Sequence, residues 1–152
     1  MTAAPARKAP AGDRGPEQAR VALKCAGSQP GHVDGGWWPR SADLAAELPA
    51  LAAALEARVG PLARVSYHLD AWGATARKVL LGGRIVRLEG FRATDPDTVE
   101  AIGTDSRRVR LLVVPREAPG GAARAVLRSA ADGDSTATAA DILAGNGVAG
   151  TR

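Results

Sequence analysis

The sequence predicts an α+β domain: an antiparallel sheet of about five to six strands, one long kinked helix, and two short C-terminal helices packed mainly on one face. Three observations predict it. Leucines recur at helical spacing between residues 44 and 59. Short apolar runs separated by turn residues follow between residues 63 and 115. Two Gly- and Ala-rich segments with helix-entry signals close the chain.

Each element has its own warrant. "RVALKCA" puts Val21, Leu23 and Cys25 on one side of a strand. "GSQPGHVDGG" is rich in turn residues. "WWP" is a short extended piece, because the residue before proline is pushed out of the helical region. Ser41 is the candidate cap of the long helix, with Asp43 in its first turn. Leu44, Leu48, Leu51, Leu55 and Val59 form one stripe of that helix. Pro49 predicts a kink, or two short helices in line, without breaking the stripe. Gly60-Pro61 ends it.

A five-strand meander is expected next. In "ARVSYHLDAW", Val65, Tyr67 and Leu69 face one way and Ser66, His68 and Asp70 the other. Gly82-Gly83 marks a two-residue hairpin turn inside "RKVLLGGRIVRLEGF". "VEAIG" and "RRVRLLVVP" are joined by "TDS". Val109, Leu111 and Val113 make one face of the last strand. Leu112 and Val114 make its end apolar on both, as in a central strand. "GGAARAVLRSAADG" and "STATAADILAG" are short helices, the second capped by Thr138 with Asp141 three residues on.

The 152 residues fit one domain, expected over residues 20–145 between a disordered tail at 1–19 and a flexible one at 146–152. A chain of this length buries roughly two thirds of its unfolded surface. That core is aliphatic, because Trp37, Trp38, Tyr67, Trp72 and Phe91 are the only large rings. The single cysteine, Cys25, permits no disulfide within the chain and fits a reducing compartment. The N-terminus has no apolar run of the secretory kind, and "LPALAAAL" is far shorter than the ~20 residues of a membrane helix. A cytoplasmic address with no membrane contact is expected. The net charge is +4 and the pI about 10. The cations are nearly all arginine in a chain crowded with Ala, Gly and Pro, which points to a GC-rich genome more than to a ligand.

Several constellations invite chemistry. His32-x-Asp34 and His68-x-Asp70 are two His-x-Asp pairs, but no third ligand element accompanies them, so no metal is expected. Ser66, His68 and Asp70 share a strand face. Neighbours on a flat strand do not assemble a triad around an exposed nucleophile, and no Gly-x-Ser-x-Gly elbow exists. Cys25 reads as a small core residue. "VVPREAPGGAARAVL" is strand, Gly loop and helix, whose start could hold an anion but reads better as an ordinary helix entry. Arg84, Arg87, Arg92, Arg107, Arg108 and Arg110 lie in the meander. Phe91 is the only ring near them, and Glu89, Asp95, Asp97, Glu100 and Asp105 dilute their charge. A solvated sheet face is the better reading, which makes nucleic acid the weakest partner class.

"HVDGGWWPRS" is the most specific feature. Extended, Trp37 and Trp38 point to opposite sides. One enters the core, and the other needs a second apolar surface, a partner or solvent. Asp34, Arg40, Asp70 and Trp72 are candidates to surround the outer ring, in the manner of a binding hot spot. The competing reading is a packed corner in which Arg40 pairs with Asp34 or Asp70.

"VDGGWWPRSADLAAELPAL", "VSYHLDAW", "GFRATDPDTV", "LLVVP" and "STATAADIL" resemble a family of small, uncharacterised actinobacterial proteins. The resemblance covers about residues 20 to 144 and is carried by Gly-Trp-Trp-Pro-Arg-Ser together with Leu-Asp-x-Trp. It implies one compact bacterial cytoplasmic domain and carries no activity, cofactor or catalytic residue. The expected function is a non-enzymatic binding or regulatory module. It contacts a protein or small molecule through Trp37, Trp38, Arg40, Asp34, Asp70 and Trp72, without a cofactor. The alternative is a small-molecule enzyme with Asp34 or Asp70 as general base in a pocket beside the Trp loop.

Overall fold

The computed structural model describes residues 18–25, 28, 31–72 and 75–149. The expected N-terminal tail lies outside the described residues as far as residue 17, as do residues 150–152 of the C-terminal one.

The elements are β1 (Val21–Leu23), β2 (Gly35–Trp37), α1 (Leu44–Val59), β3 (Leu62–His68), β4 (Lys78–Leu81), β5 (Arg84–Phe91), β6 (Thr98–Gly103), β7 (Arg108–Val113), α2 (Gly120–Ala130) and α3 (Ala139–Gly145). They form one open seven-stranded sheet in the order β1-β2-β7-β6-β3-β5-β4. The fold is mixed α+β, but the sheet is neither a meander nor antiparallel throughout. β2 pairs in parallel with β7, and β3 in parallel with β5.

The difference arises from where two hairpins dock. Gly82 and Gly83 have φ of 56° and 81°, and the turn they make joins β4 and β5 as their spacing predicts. This hairpin then swings so that the longer β5 lies on β3, leaving the short, exposed β4 as an outer edge. β6 and β7 form a second hairpin, closed by Thr104–Ser106. It inserts between β2 and β3, which α1 connects. β2 and β3 therefore stand three strand spacings apart, roughly 14 Å.

α1 is continuous through Pro49. Proline at the sixth helical residue removes only the bond to the Ala45 carbonyl, and its ring is exposed. The cap is Asp43, whose side chain accepts from the Ala46 N–H at 3.3 Å, and not Ser41. Ser41 instead donates its hydroxyl to Glu47 Oε2 at 2.9 Å and accepts from the Asp43 N–H. Leu44, Leu48, Leu51, Leu55 and Val59 are all buried. α1 ends at Gly60, whose φ of 69° suits glycine. Thr138 caps α3 through the Asp141 N–H, as its spacing predicts.

The helices lie on both faces, not mainly on one. α1 covers a core made of Trp37, Val65, Tyr67, Trp72, Val86, Leu88, Val99, Ala101, Val109, Leu111 and Val113. α2 and α3 cover a second core with Val33, Leu112 and Val114 on the opposite face. Alternation along β7 explains it: Val109, Leu111 and Val113 enter the first core, and at its C-terminal end Leu112, followed by Val114, enters the second, so that end is buried on both faces. Val21 and Leu23 of β1 pack against the first core. Cys25, expected with them, is exposed, because β1 ends at Leu23.

Gly35 and Gly36 are strand residues and not part of a turn. A Cβ on Gly35 would sit 2.2 Å from the Ala22 carbonyl oxygen. On Gly36 it would meet Leu127 Cδ2 at 3.0 Å and Ala130 Cβ at 3.1 Å. The pair thus lets β1 and α2 approach β2 closely.

Leu51→Ala or Leu55→Ala is expected to cost roughly 2–5 kcal/mol, read as a lowered denaturation midpoint. Gly36→Leu is expected to lift α2 from the sheet and to lower the midpoint by a comparable amount, while Gly121→Ala, with open space around its Cβ position, leaves it unchanged or raised.

Candidate functional site

The two tryptophans divide between the cores. Trp37 is 0% exposed and stacks on Trp72 with ring centroids 5.4 Å apart and planes inclined by 24°. Its register partner is Val113, which places this stack at the C-terminal end of β7. Trp38, one residue on, points to the other side and packs half-buried against the second core. The second apolar surface that its geometry demands is therefore supplied by the protein itself.

Arg20 closes this arrangement. Its guanidinium carbon lies 3.7 Å from the centroid of the Trp38 ring. Its Nε donates to the Trp38 carbonyl at 2.9 Å and its Nη2 to the Pro39 carbonyl at 3.1 Å. The indole Nε1 of Trp38 donates to the Arg116 carbonyl at 3.3 Å. Ring and backbone of Trp38 are both held, so the segment is a packed corner. Arg20 was not legible as part of it, because its partners lie 18 and 19 residues away, just past the end of β2.

The other expected site residues are dispersed. Asp34 N–H donates to the Arg110 carbonyl at 2.7 Å, and Asp34 Oδ2 accepts from the Arg110 N–H at 2.8 Å. Its carboxylate thus continues the β2–β7 ladder, three residues before Trp37. Arg40 donates its Nη1 to the Gln18 carbonyl at 2.8 Å and its backbone N–H to Glu47 Oε1. Asp70 is exposed in the turn after β3, where its N–H donates to His68 Nδ1 at 3.0 Å. His32 is exposed in the loop before β2. Among the described residues no group of three His, Cys, Asp or Glu side chains is placed to hold a metal.

The loops at the C-terminal ends of β2, β3 and β7 enclose a cleft of about 120 Å³. Its walls are Pro39, Ser41 and Ala42 after β2, Ala71 and Trp72 after β3, Pro96 before β6, Val113 at the end of β7, and Val114 to Glu117 after it. Of the six residues expected to form a site, Trp72 alone lines it. Two of its polar groups are already engaged: the Ser41 hydroxyl with Glu47, and the Arg116 carbonyl with Trp38. Neither Asp34 nor Asp70 reaches it, so a general base in this cleft has no support from the geometry. Asp105, whose pKa lies below the ordinary 3.8, is also remote. The Arg107 N–H donated to its carboxylate lowers it most, and it sits in the β6–β7 turn.

Truncating the sealed ring in Trp37→Ala is expected to cost roughly 3–5 kcal/mol. Trp38→Ala is expected to cost clearly less, because its ring is only half-buried. Urea titrations of the two variants test this, and equal losses would contradict the division between cores.

Among the described residues, no helix is long and apolar enough to cross a membrane. No curated protein and no solved structure matches the chain. A family model matches residues 20–130, from the arginine that covers Trp38 to the end of α2, so the chain belongs to DUF5994, a family of unknown function.

Proposed function

We propose that the protein is a small non-enzymatic binding module, and that its contact point is the cleft over Trp72, with the Trp37–Trp72 stack as a rigid floor. The carrying observation is the cleft's size and chemistry together. Its volume of about 120 Å³ falls below the roughly 300–1,000 Å³ of small-molecule sites. With the Ser41 hydroxyl and the Arg116 carbonyl engaged internally, two of its polar groups are lost to a polar substrate. An apolar side chain of a partner protein fits both properties. Arg116 and Glu117, both exposed, give the rim one charge of each sign. Trp37, Trp38, Arg40 and Asp34 then act behind the contact surface by holding the loops that form it, and Asp70 stands outside the cleft. The working unit is residues 20–145, to which Val148 adds a last buried contact. A reducing cytoplasm is the expected setting, given one exposed thiol in Cys25.

The test uses N-acetyl-leucinamide as a side-chain probe in a ¹H–¹⁵N NMR titration. Shifts are expected at Ala42, Ala71 and the Trp72 indole N–H, with an affinity of roughly 1 mM, about 4 kcal/mol. Ala71→Arg, on the cleft wall, is expected to abolish them, with an unchanged circular dichroism spectrum showing that the chain still folds. A probe that shifts none of these signals refutes the reading.

A further inference from the structure

Among the described residues, one face of the sheet is covered only in part. α2 and α3 lie over β1, β2 and the end of β7, while no helix packs into a core on the same face of β6, β3, β5 and β4, where Ile102 and Thr98 of β6 are nonetheless buried. The pairing register brings distant residues into rows across it. Arg108, Ile102, Arg64, Arg87 and Lys78 stand side by side on β7, β6, β3, β5 and β4. The row spans four strand spacings, roughly 19 Å. Two residues along, Arg110, Glu100, Ser66 and Glu89 form a second row. Beyond it, His68 and Phe91 are register neighbours, with Phe91 45% exposed.

The structure removes the acidic dilution that the linear sequence suggests. Asp95 and Asp105 lie in turns and accept backbone N–H groups from Asp97 and Arg107. Asp97 is buried beside β6. Among the described strand residues only Glu89 and Glu100 share the face, and both are held by its own arginines; the exposed Asp70 follows in the turn beside His68. Glu89 lies 3.7 Å from Arg64, and Glu100 lies 3.5 Å from Arg108 and 3.9 Å from Arg110. Among the described residues Arg87 and Lys78 have no ionic partner, and both are exposed. The face therefore carries a cationic track with a flat ring at one end.

We propose that this face binds single-stranded nucleic acid, with phosphates following the Arg108–Arg64–Arg87–Lys78 row and a base stacking on Phe91 beside His68. Regularly spaced negative charge joined to planar rings matches both features of the face. An acidic protein segment matches only the first. Long, exposed ion pairs to Glu89 and Glu100 exchange readily for phosphate contacts. This surface is separate from the cleft over Trp72 and does not depend on it.

The test is fluorescence anisotropy of the full chain with a labelled twelve-nucleotide oligouridine at several salt concentrations. Binding at 50 mM salt is expected, with a slope of log affinity against log salt of roughly −2 to −3, as for three or four phosphates of a single strand. Arg87→Glu with Lys78→Glu is expected to weaken it at least about tenfold, and Phe91→Ala about tenfold. Arg84→Ala and Arg87→Ala each remove one charge, from opposite sides of the hairpin; only Arg87→Ala is expected to weaken binding. All these side chains are exposed, and an unchanged urea midpoint confirms folding. No binding at 50 mM salt overturns the proposal, as does equal sensitivity to Arg84→Ala. If polyglutamate competes as well as oligouridine and Phe91→Ala is silent, the face is a site for acidic protein and the nucleic-acid assignment is wrong.

Discussion

The burial of the C-terminal end of β7 on both faces is the constraint on which the architecture rests. Leu111 and Val113 enter the core under α1, and Leu112 and Val114 enter the core under α2 and α3. A strand that is apolar on alternate residues needs one cover; one that is apolar on successive residues needs two. The chain provides the second cover from its C-terminal third, which is why α2 and α3 cannot share the face of α1. It also forces the β6–β7 hairpin into the middle of the sheet, between two strands that α1 has already joined.

The "DGGWW" segment is where these two layers are coupled. Gly35 admits β1 at its edge and Gly36 admits α2 at its face. Trp37 then fills the first core and Trp38 borders the second. Asp34 lengthens the ladder to β7 by two hydrogen bonds to Arg110. Five consecutive residues thus each make a different contact, and each needs the side chain it has. The composition of the segment is explained by packing, without appeal to chemistry.

That economy bears on function. The rings and charges that look like a hot spot in the linear chain are mostly engaged in holding loops together. What remains is a cleft whose walls come from four separate connections, lined in part by the largely buried Trp72. On the part of the sheet face that α2 and α3 do not cover, a row of cations comes from four strands spread over residues 64 to 108. Neither surface is contiguous in sequence. Both are products of strand order: the cleft gathers at the end where β2, β3 and β7 run in the same direction, and the row depends on β3 lying between β6 and β5.

Features governed by neighbours in the chain were legible in advance. The stripe of α1 and its stop at Gly60, the Gly82-Gly83 hairpin, the Thr138 cap and the opposite aims of Trp37 and Trp38 all follow from local geometry and spacing. So did the two-sided burial of the end of β7. The identity of each strand's partner did not follow, because apolar alternation states which face of a strand is buried and says nothing of what lies beside it. Parallel β2–β7 and β3–β5 pairing, the split of helices between faces and the glycine contacts of β2 belong to that class. The burial of Trp38 under Arg20 belongs there too: a ring one residue past a strand is exposed or covered according to what a distant segment brings to it. Contacts between residues far apart in sequence have no local signature, and both candidate surfaces of this protein are made of them.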